Sequence, residues 1–109
     1  MMNSLEEKFK AYRERNCLIK NNRLEIESLK RNAGNGEKIK QLEEEILIIQ
    51  YENKKIDNIL ELVLSNKEYK AIRLFYLEGK DKKRVAKELD RTERHINRIL
   101  NSAIRQIKL

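Results

Sequence analysis

The sequence contains no proline, no tryptophan and only three glycines among its 109 residues. Proline and glycine are the residues that most strongly disfavour a helix, so most of the chain holds nothing that would interrupt one. The residues that are abundant, Lys, Glu, Leu and Arg among them, favour helix instead. The composition therefore predicts an all-α protein.

Cysteine and long apolar runs are also scarce. Cys17 is the only cysteine, so no internal disulfide can form, which fits a reducing cytoplasm. Residues 1–10 lack the apolar core of a signal peptide. The longest apolar run, residues 46–49, is much shorter than a membrane span. We therefore expect a cytoplasmic protein that does not enter a membrane.

The residue patterns of enzymes and metal sites are missing as well. His95 is the only histidine, and it has no second histidine or cysteine at metal-ligand spacing. The chain also has no glycine-rich phosphate loop, and no Ser or Cys nucleophile with a base at a suitable spacing. We therefore expect no enzymatic activity, no metal site and no cofactor.

Positive charge is present in excess, and it is concentrated in one part of the chain. Residues 1–64 hold 12 Lys and Arg residues against 12 Asp and Glu residues, whereas residues 65–109 hold 13 against 6. The whole net charge of +7 therefore belongs to residues 65–109. This division predicts a neutral unit, 1–64, that serves oligomerisation and a basic unit, 65–109, that binds a polyanion.

A heptad pattern runs through the second part of the neutral unit and predicts a coiled-coil helix over residues 37–64. Its positions are Ile39, Leu42, Ile46, Ile49, Asn53, Ile56, Leu60 and Val63. Asn53 either pairs with its counterpart in another copy, which would set the register, or lies at a wet edge of the seam. We assign oligomerisation to Ile46, Ile49, Asn53, Ile56 and Leu60.

A weaker apolar stripe precedes this helix, at Leu5, Phe9, Tyr12, Ile19, Ile26 and Leu29. Residues 32–36, rich in Gly and Asn, separate the two helices by a short break, which favours an antiparallel hairpin. The second helix carries another stripe at Ile48, Tyr51, Ile59 and Leu62, and this stripe needs a further partner, either another copy of the chain or the C-terminal module. We therefore predict self-association, as a dimer.

The basic unit shows the start and stop signals of three short helices. Ser65 and Glu68 form a capping box before the first helix, which should end at Gly79. Asp81 and Thr92 are suited to cap the next two helices. Two helices separated by a short break at residues 90–92 are typical of a helix-turn-helix. We thus expect a helical hairpin followed by a three-helix DNA-binding module.

The last of these helices presents polar residues on one face and apolar residues on the other. Arginine and asparagine can form bidentate contacts with guanine and adenine, so we assign base reading to Arg94, Asn97, Arg98 and Asn101. Other residues are suited to hold the phosphate backbone. These are Lys82, Lys83, Arg84, Arg91, Thr92 and Arg105.

Residues 64–109, LSNKEYKAIRLFYLEGKDKKRVAKELDRTERHINRILNSAIRQIKL, resemble region 4 of the sigma-70 family, which binds the −35 promoter element. The likeness lies in the Leu-x-Gly at residues 77–79, the VAKEL segment at 85–89, and Ala103 with Ile107. Placed after a coiled coil, this module is similar to phage late transcriptional regulators of the ArpU or RinA kind. The resemblance implies a phage or prophage regulator that binds specific double-stranded DNA, with RNA polymerase as a candidate partner.

The sequence departs from the sigma-70 pattern at two places. Asp90 stands where the turn of that family usually has glycine, and Asp tolerates this backbone region better than most residues, so we expect the turn to form at some cost. Glu93 and Arg94 reverse the characteristic Arg-Glu pair of the family, which indicates a different operator. Two other functions stay open for this chain. One is a coiled-coil assembly or adaptor protein whose basic end docks an acidic partner. The other is a DNA-packaging factor similar to small terminase subunits.

Overall fold

The computed structural model describes residues 4–32 and 35–109, which form five α-helices and no strand. The helices are α1 (Ser4–Arg31), α2 (Gly36–Val63), α3 (Asn66–Ile72), α4 (Lys82–Glu88) and α5 (Glu93–Gln106). The prediction of an all-α fold is thereby confirmed. The predicted break at residues 32–36 includes residues 33 and 34, which lie outside the described residues.

Helices α1 and α2 form the predicted antiparallel hairpin. Side-chain hydrogen bonds join Tyr12 to Asp57, Arg15 to Asn53 and Asn22 to Glu45. Later residues of α1 thus pair with earlier residues of α2, as they do in an antiparallel pair. Apolar residues of both helices form a small core towards the closed end of the hairpin. Its buried members are Ile19, Ile26, Leu42 and Ile46.

Asn53 is buried in this hairpin, with 5% of its surface exposed. Its amide nitrogen donates to the carbonyl oxygen of Tyr12 at 3.2 Å and to Oδ1 of Asn16 at 3.1 Å. Its amide oxygen accepts from Arg15 Nη1 at 3.0 Å. Both interpretations of Asn53 were wrong, because its side chain is buried and its amide group forms its hydrogen bonds within the chain. It sets the register of α2 against α1 within the chain.

The assignment of oligomerisation to the heptad seam is also corrected. Ile46, Asn53 and Leu60 are buried within one chain, and Ile49 and Ile56 are half-buried against its two cores. A helix joined by a short loop is present at a far higher effective concentration than a second copy. Most of the seam of α2 is therefore covered by the chain's own helices, while Val63 at its end is 41% exposed.

The main core includes residues from both predicted units. Phe9 of α1 and Leu60 of α2 have no exposed surface, and they belong to the same core as Ile72, Val85 and Ile96. The ring of Phe9 stacks on that of Tyr76, with 5.0 Å between the ring centroids. The predicted boundary at residues 64 and 65 coincides with the break between α2 and α3, but the core continues across it.

Helix α3 continues into a π-helical turn, Arg73–Leu77, in which the N–H of Glu78 donates to the carbonyl of Arg73. Gly79 ends this segment with a φ of +74°, a backbone conformation that glycine adopts without steric cost. Arg13 of α1 donates to the carbonyl oxygen of Tyr76 at the same end. The hairpin therefore contacts the basic module through hydrogen bonding as well as through Phe9.

Candidate nucleic-acid interface

Helix α5 is held in the module by its cap and its apolar side. Thr92 Oγ1 accepts from the backbone N–H of His95 at 3.1 Å, as the sequence predicted. The buried side of the helix packs against α3 and α4. It consists of Ile96, Ile99, Leu100 and Ala103. The opposite side of α5 consequently faces solvent.

That solvent-facing side carries all the residues of α5 that were assigned to DNA, and each of them is exposed. They are Arg94, Asn97, Arg98, Asn101 and Arg105. The first and the last are 11 positions apart on the helix, or about 17 Å. The structure thus brings these five side chains together on one exposed stripe, which we call the α5 polar face.

The turn between α4 and α5 fixes the direction in which this face points. Asp90 has a φ of 53°, in the left-handed region that non-glycine residues seldom occupy. The N–H of Arg91 donates to the carbonyl of Ala86 at 2.9 Å, and that of Asp90 to the carbonyl of Lys87 at 3.3 Å. Together these bonds form a Schellman motif with Asp90 at the left-handed position.

Replacing Asp90 with glycine is expected to raise the free energy of unfolding by about 0.5–1 kcal/mol, because glycine has no Cβ to oppose a positive φ. Asp90→Val is expected to lower it by more than 1 kcal/mol, since β-branched residues fit this region worst (about 1–2 kcal/mol). Urea denaturation followed by circular dichroism measures both. Equal stability of the two variants would contradict the claim that the positive φ of Asp90 strains the turn.

The residues assigned to phosphate binding lie on three segments around the α5 polar face. Lys82, Lys83 and Arg84 form the first turn of α4, where Asp81 Oδ1 caps the helix by accepting from the N–H of Arg84 at 2.8 Å. Lys83 and Arg84 are exposed, whereas Lys82 is half-buried with Nζ 5.6 Å from the centroid of the Phe75 ring. Arg91 and Thr92 are exposed in the turn, and Arg105 is exposed in the last turn of α5.

The positive charges of this surface are not neutralised within the chain. Across residues 4–32 and 35–109, none of the seven Lys and Arg residues assigned to DNA forms an ion pair. Lys80 nearby behaves differently, since its Nζ lies 3.4 Å from Glu78 and 3.0 Å from Glu88. The surface therefore keeps its charge available for an external anion.

Two further lysines, Lys67 and Lys70 of α3, border the same surface and were missed in the sequence analysis. They line a groove together with Arg91 of the turn. Lys67 also lies close to His95. Partial burial and the positive charges of Lys67, Arg91 and Arg98 lower the pKa of the His95 imidazole. Both lysines contribute to the excess of positive charge in residues 65–109. The interface residues were chosen from α5, α4 and the turn, and the periodicity of α5 does not show which residues of α3 lie beside it.

Glu68 connects α3 to α5 beside this surface. Its carboxylate accepts from Ser102 Oγ at 3.0 Å and from Gln106 Nε2 at 2.6 Å, in addition to its capping-box bond from the N–H of Ser65. Burial acts to raise the pKa of Glu68, but the hydrogen bonds outweigh it and the pKa lies below its usual range. The capping box was predicted, whereas the bonds to α5 were not.

These elements define an all-helical protein in which a three-helix module, completed by a helical hairpin, exposes an unneutralised basic surface. No family model, curated protein or solved structure matches this chain. Among the described residues, no helix combines the length and apolar character needed to cross a membrane. The same part of the chain contains no group of three or more His, Cys, Asp or Glu residues placed to hold a metal ion.

Proposed function

We propose that this protein is a transcription regulator that binds specific sequences of double-stranded DNA. The observation that carries the proposal is the α5 polar face, a stripe of arginine and asparagine side chains that is exposed and free of acidic partners in the described chain. A helix that only needed solubility would be expected to mix both signs of charge, as α2 does at Glu43, Glu44, Lys54 and Lys55.

In this proposal α5 enters the major groove, which is wide enough to admit one α-helix. Arg94 and Arg98 donate to guanine O6 and N7, and Asn97 and Asn101 pair with adenine N6 and N7. Each of these contacts needs a side chain that is exposed and that is not already hydrogen-bonded. All four side chains are exposed.

The surrounding cations fix the position of α5 on the duplex without reading sequence. Lys82, Lys83 and Arg84 precede α5 in the chain, Arg91 lies in the turn, and Arg105 lies at the far end of the helix. Lys67 and Lys70 extend this set along α3. The contacts occur at both ends of the α5 polar face, so the helix would be held along its length.

The resemblance of residues 64–109 to region 4 of the sigma-70 family supports the same proposal. It extends the proposal to a phage or prophage regulator in the cytoplasm, with RNA polymerase as a further partner. The two other functions, an adaptor for an acidic protein and a packaging factor, make different predictions for binding to short duplexes.

Fluorescence anisotropy with labelled duplexes of mixed sequence tests the proposal. Five of the cations placed on phosphates, Lys82, Lys83, Arg84, Arg91 and Arg105, already correspond to a log–log salt slope of about −4.5, and Lys67 and Lys70 would make it steeper. We therefore expect affinity to fall by at least about 500-fold between 50 and 200 mM salt. Rounds of duplex selection should then enrich one motif that binds more tightly than the mixture.

Two outcomes would count against a sequence-specific regulator. Absence of duplex binding at 50 mM salt would favour the adaptor function. Salt-dependent binding without enrichment of any motif would leave a protein that binds DNA non-specifically, as expected of a packaging factor.

A further inference from the structure

The outer side of α2, turned away from α1, exposes several large apolar side chains. Ile48 and Tyr51 are 66% and 64% exposed, and Leu62 is 84% exposed. They follow the same helix as the buried seam residues Ile46, Asn53 and Leu60, but lie on roughly the opposite side of its axis. Exposed large apolar side chains on one line of a helix surface, such as Ile48 and Tyr51, indicate a binding partner.

Charged residues flank Ile48 and Tyr51 on either side and make this part of the stripe complementary to itself. Glu44, Ile48, Tyr51 and Lys55 follow one another at spacings of four, three and four residues, so they lie along one line on the helix. Glu44 and Lys55 are both exposed. If a second copy of this line is placed antiparallel to the first, Ile48 lies opposite Tyr51 and Glu44 lies opposite Lys55.

We propose that two copies of this chain associate through this stripe, with their α2 helices antiparallel about a two-fold axis between Ile49 and Gln50. Glu44 then faces the partner's Lys55, and the symmetry repeats this pair on the other side of the axis. Between the two pairs, Ile48 and Tyr51 pack against the same residues of the second copy. The outer stripe thus replaces the buried seam as the surface for self-association.

The arrangement of charges distinguishes this pairing from two alternatives. In a parallel pair, Glu44 would face the partner's Glu44 and Lys55 the partner's Lys55, and both contacts repel. An antiparallel pair centred on Lys55 would again place two lysines together.

Lys55 is already directed over the stripe by its own helix. Its Nζ lies 3.2 Å from Glu52 and 4.8 Å from the centroid of the Tyr51 ring. A lysine ammonium has three donors, so the contact with Glu52 does not prevent a second carboxylate from binding.

The exposed leucines of α1 do not form a comparable stripe. Leu18 and Leu24 are exposed by 50% and 61%, but they are six positions apart, which places them on different sides of the helix. They therefore provide matched positions for control substitutions.

Sedimentation equilibrium on the full chain without DNA, from micromolar to submillimolar concentration, tests the pairing. We expect reversible dimers for the natural sequence. Glu44→Lys and Lys55→Glu should each weaken the dimer about tenfold or more, because each turns two attractive contacts into repulsive ones. The double variant Glu44→Lys/Lys55→Glu restores both contacts and should recover most of the affinity.

Control variants separate this interface from general effects. Glu25→Lys changes an exposed charge on α1 and should leave dimerisation unchanged. Ile48→Glu should weaken the dimer, whereas Leu24→Glu, the matched substitution on α1, should leave it unchanged. Circular dichroism verifies that each variant remains helical. The proposal is overturned by a natural chain that stays monomeric throughout, or by a double variant no tighter than either single variant. Because DNA is absent, these outcomes are independent of the proposed regulatory function.

Discussion

Replacing Phe9 with alanine is expected to lower the free energy of unfolding by about 3–5 kcal/mol. The Phe9 side chain has no exposed surface and lies in the main core with Leu60, Ile72 and Ile96. Alanine would leave a cavity where α1 meets the basic module and would also remove the stacking on Tyr76. A loss of this size is a large part of the total stability of a domain.

Urea denaturation followed by circular dichroism gives the change in stability, and the matched control is Leu24→Ala. Leu24 is also a large apolar residue of α1 but is mostly exposed, so its truncation should change stability by less than about 0.5 kcal/mol. Equal effects of the two substitutions would show that Phe9 is not part of the core.

Because Phe9 is buried in the main core, a chain shortened to the basic module should also lose stability. A fragment of residues 65–109 would lose Phe9 and Leu60 from the core that also contains Ile72 and Ile96. We expect this fragment to unfold without a cooperative transition, whereas the full chain unfolds in one step. A fragment with a sharp transition would show instead that the basic module is an independent domain.

Replacing both Arg94 and Arg98 with alanine is expected to weaken binding to the selected duplex at least about 30-fold at constant salt. A loss of about 1–3 kcal/mol for each bidentate contact with guanine gives about 2–6 kcal/mol for the two together. Both side chains are exposed on the α5 polar face, and α5 itself is held by Ile96 and Ala103. The double variant should therefore fold like the natural chain, which thermal denaturation would verify.

The matched control removes the same charge from another part of the molecule. Arg23→Ala/Arg31→Ala deletes two exposed arginines of α1 and should change the affinity by less than about threefold, since charges remote from the duplex are screened by salt. If both double variants lost the same affinity, net charge alone would explain the binding, and the assignment of α5 as the reading helix would be wrong.

Features that depend on neighbouring residues were predictable from the sequence. Ser65, Asp81 and Thr92 cap helices as expected, because each cap accepts from a backbone N–H only three residues away. The two faces of α5 were predictable for the same reason, since helical periodicity alone separates Ile96 and Leu100 from Arg94 and Arg98.

Contacts between distant parts of the chain were decided only by the tertiary structure. The heptad pattern of α2 showed that Asn53 and Leu60 face a partner, but a helix of the same chain and a second copy produce the same pattern. The bonds from Glu68 to Ser102 and Gln106 join residues more than 30 positions apart, for which the sequence offers no periodic signal.

The sequence by itself therefore determined where the helices begin and end and which side of each is apolar. Which partner covers each side depended on how the helices assemble. Phe9 entered the core of the basic module, and most of the seam of α2 was covered by the chain's own α1 and that module. The physical reason is that burial of apolar surface has no direction and favours any partner equally, until chain connectivity and specific hydrogen bonds such as those of Asn53 select one.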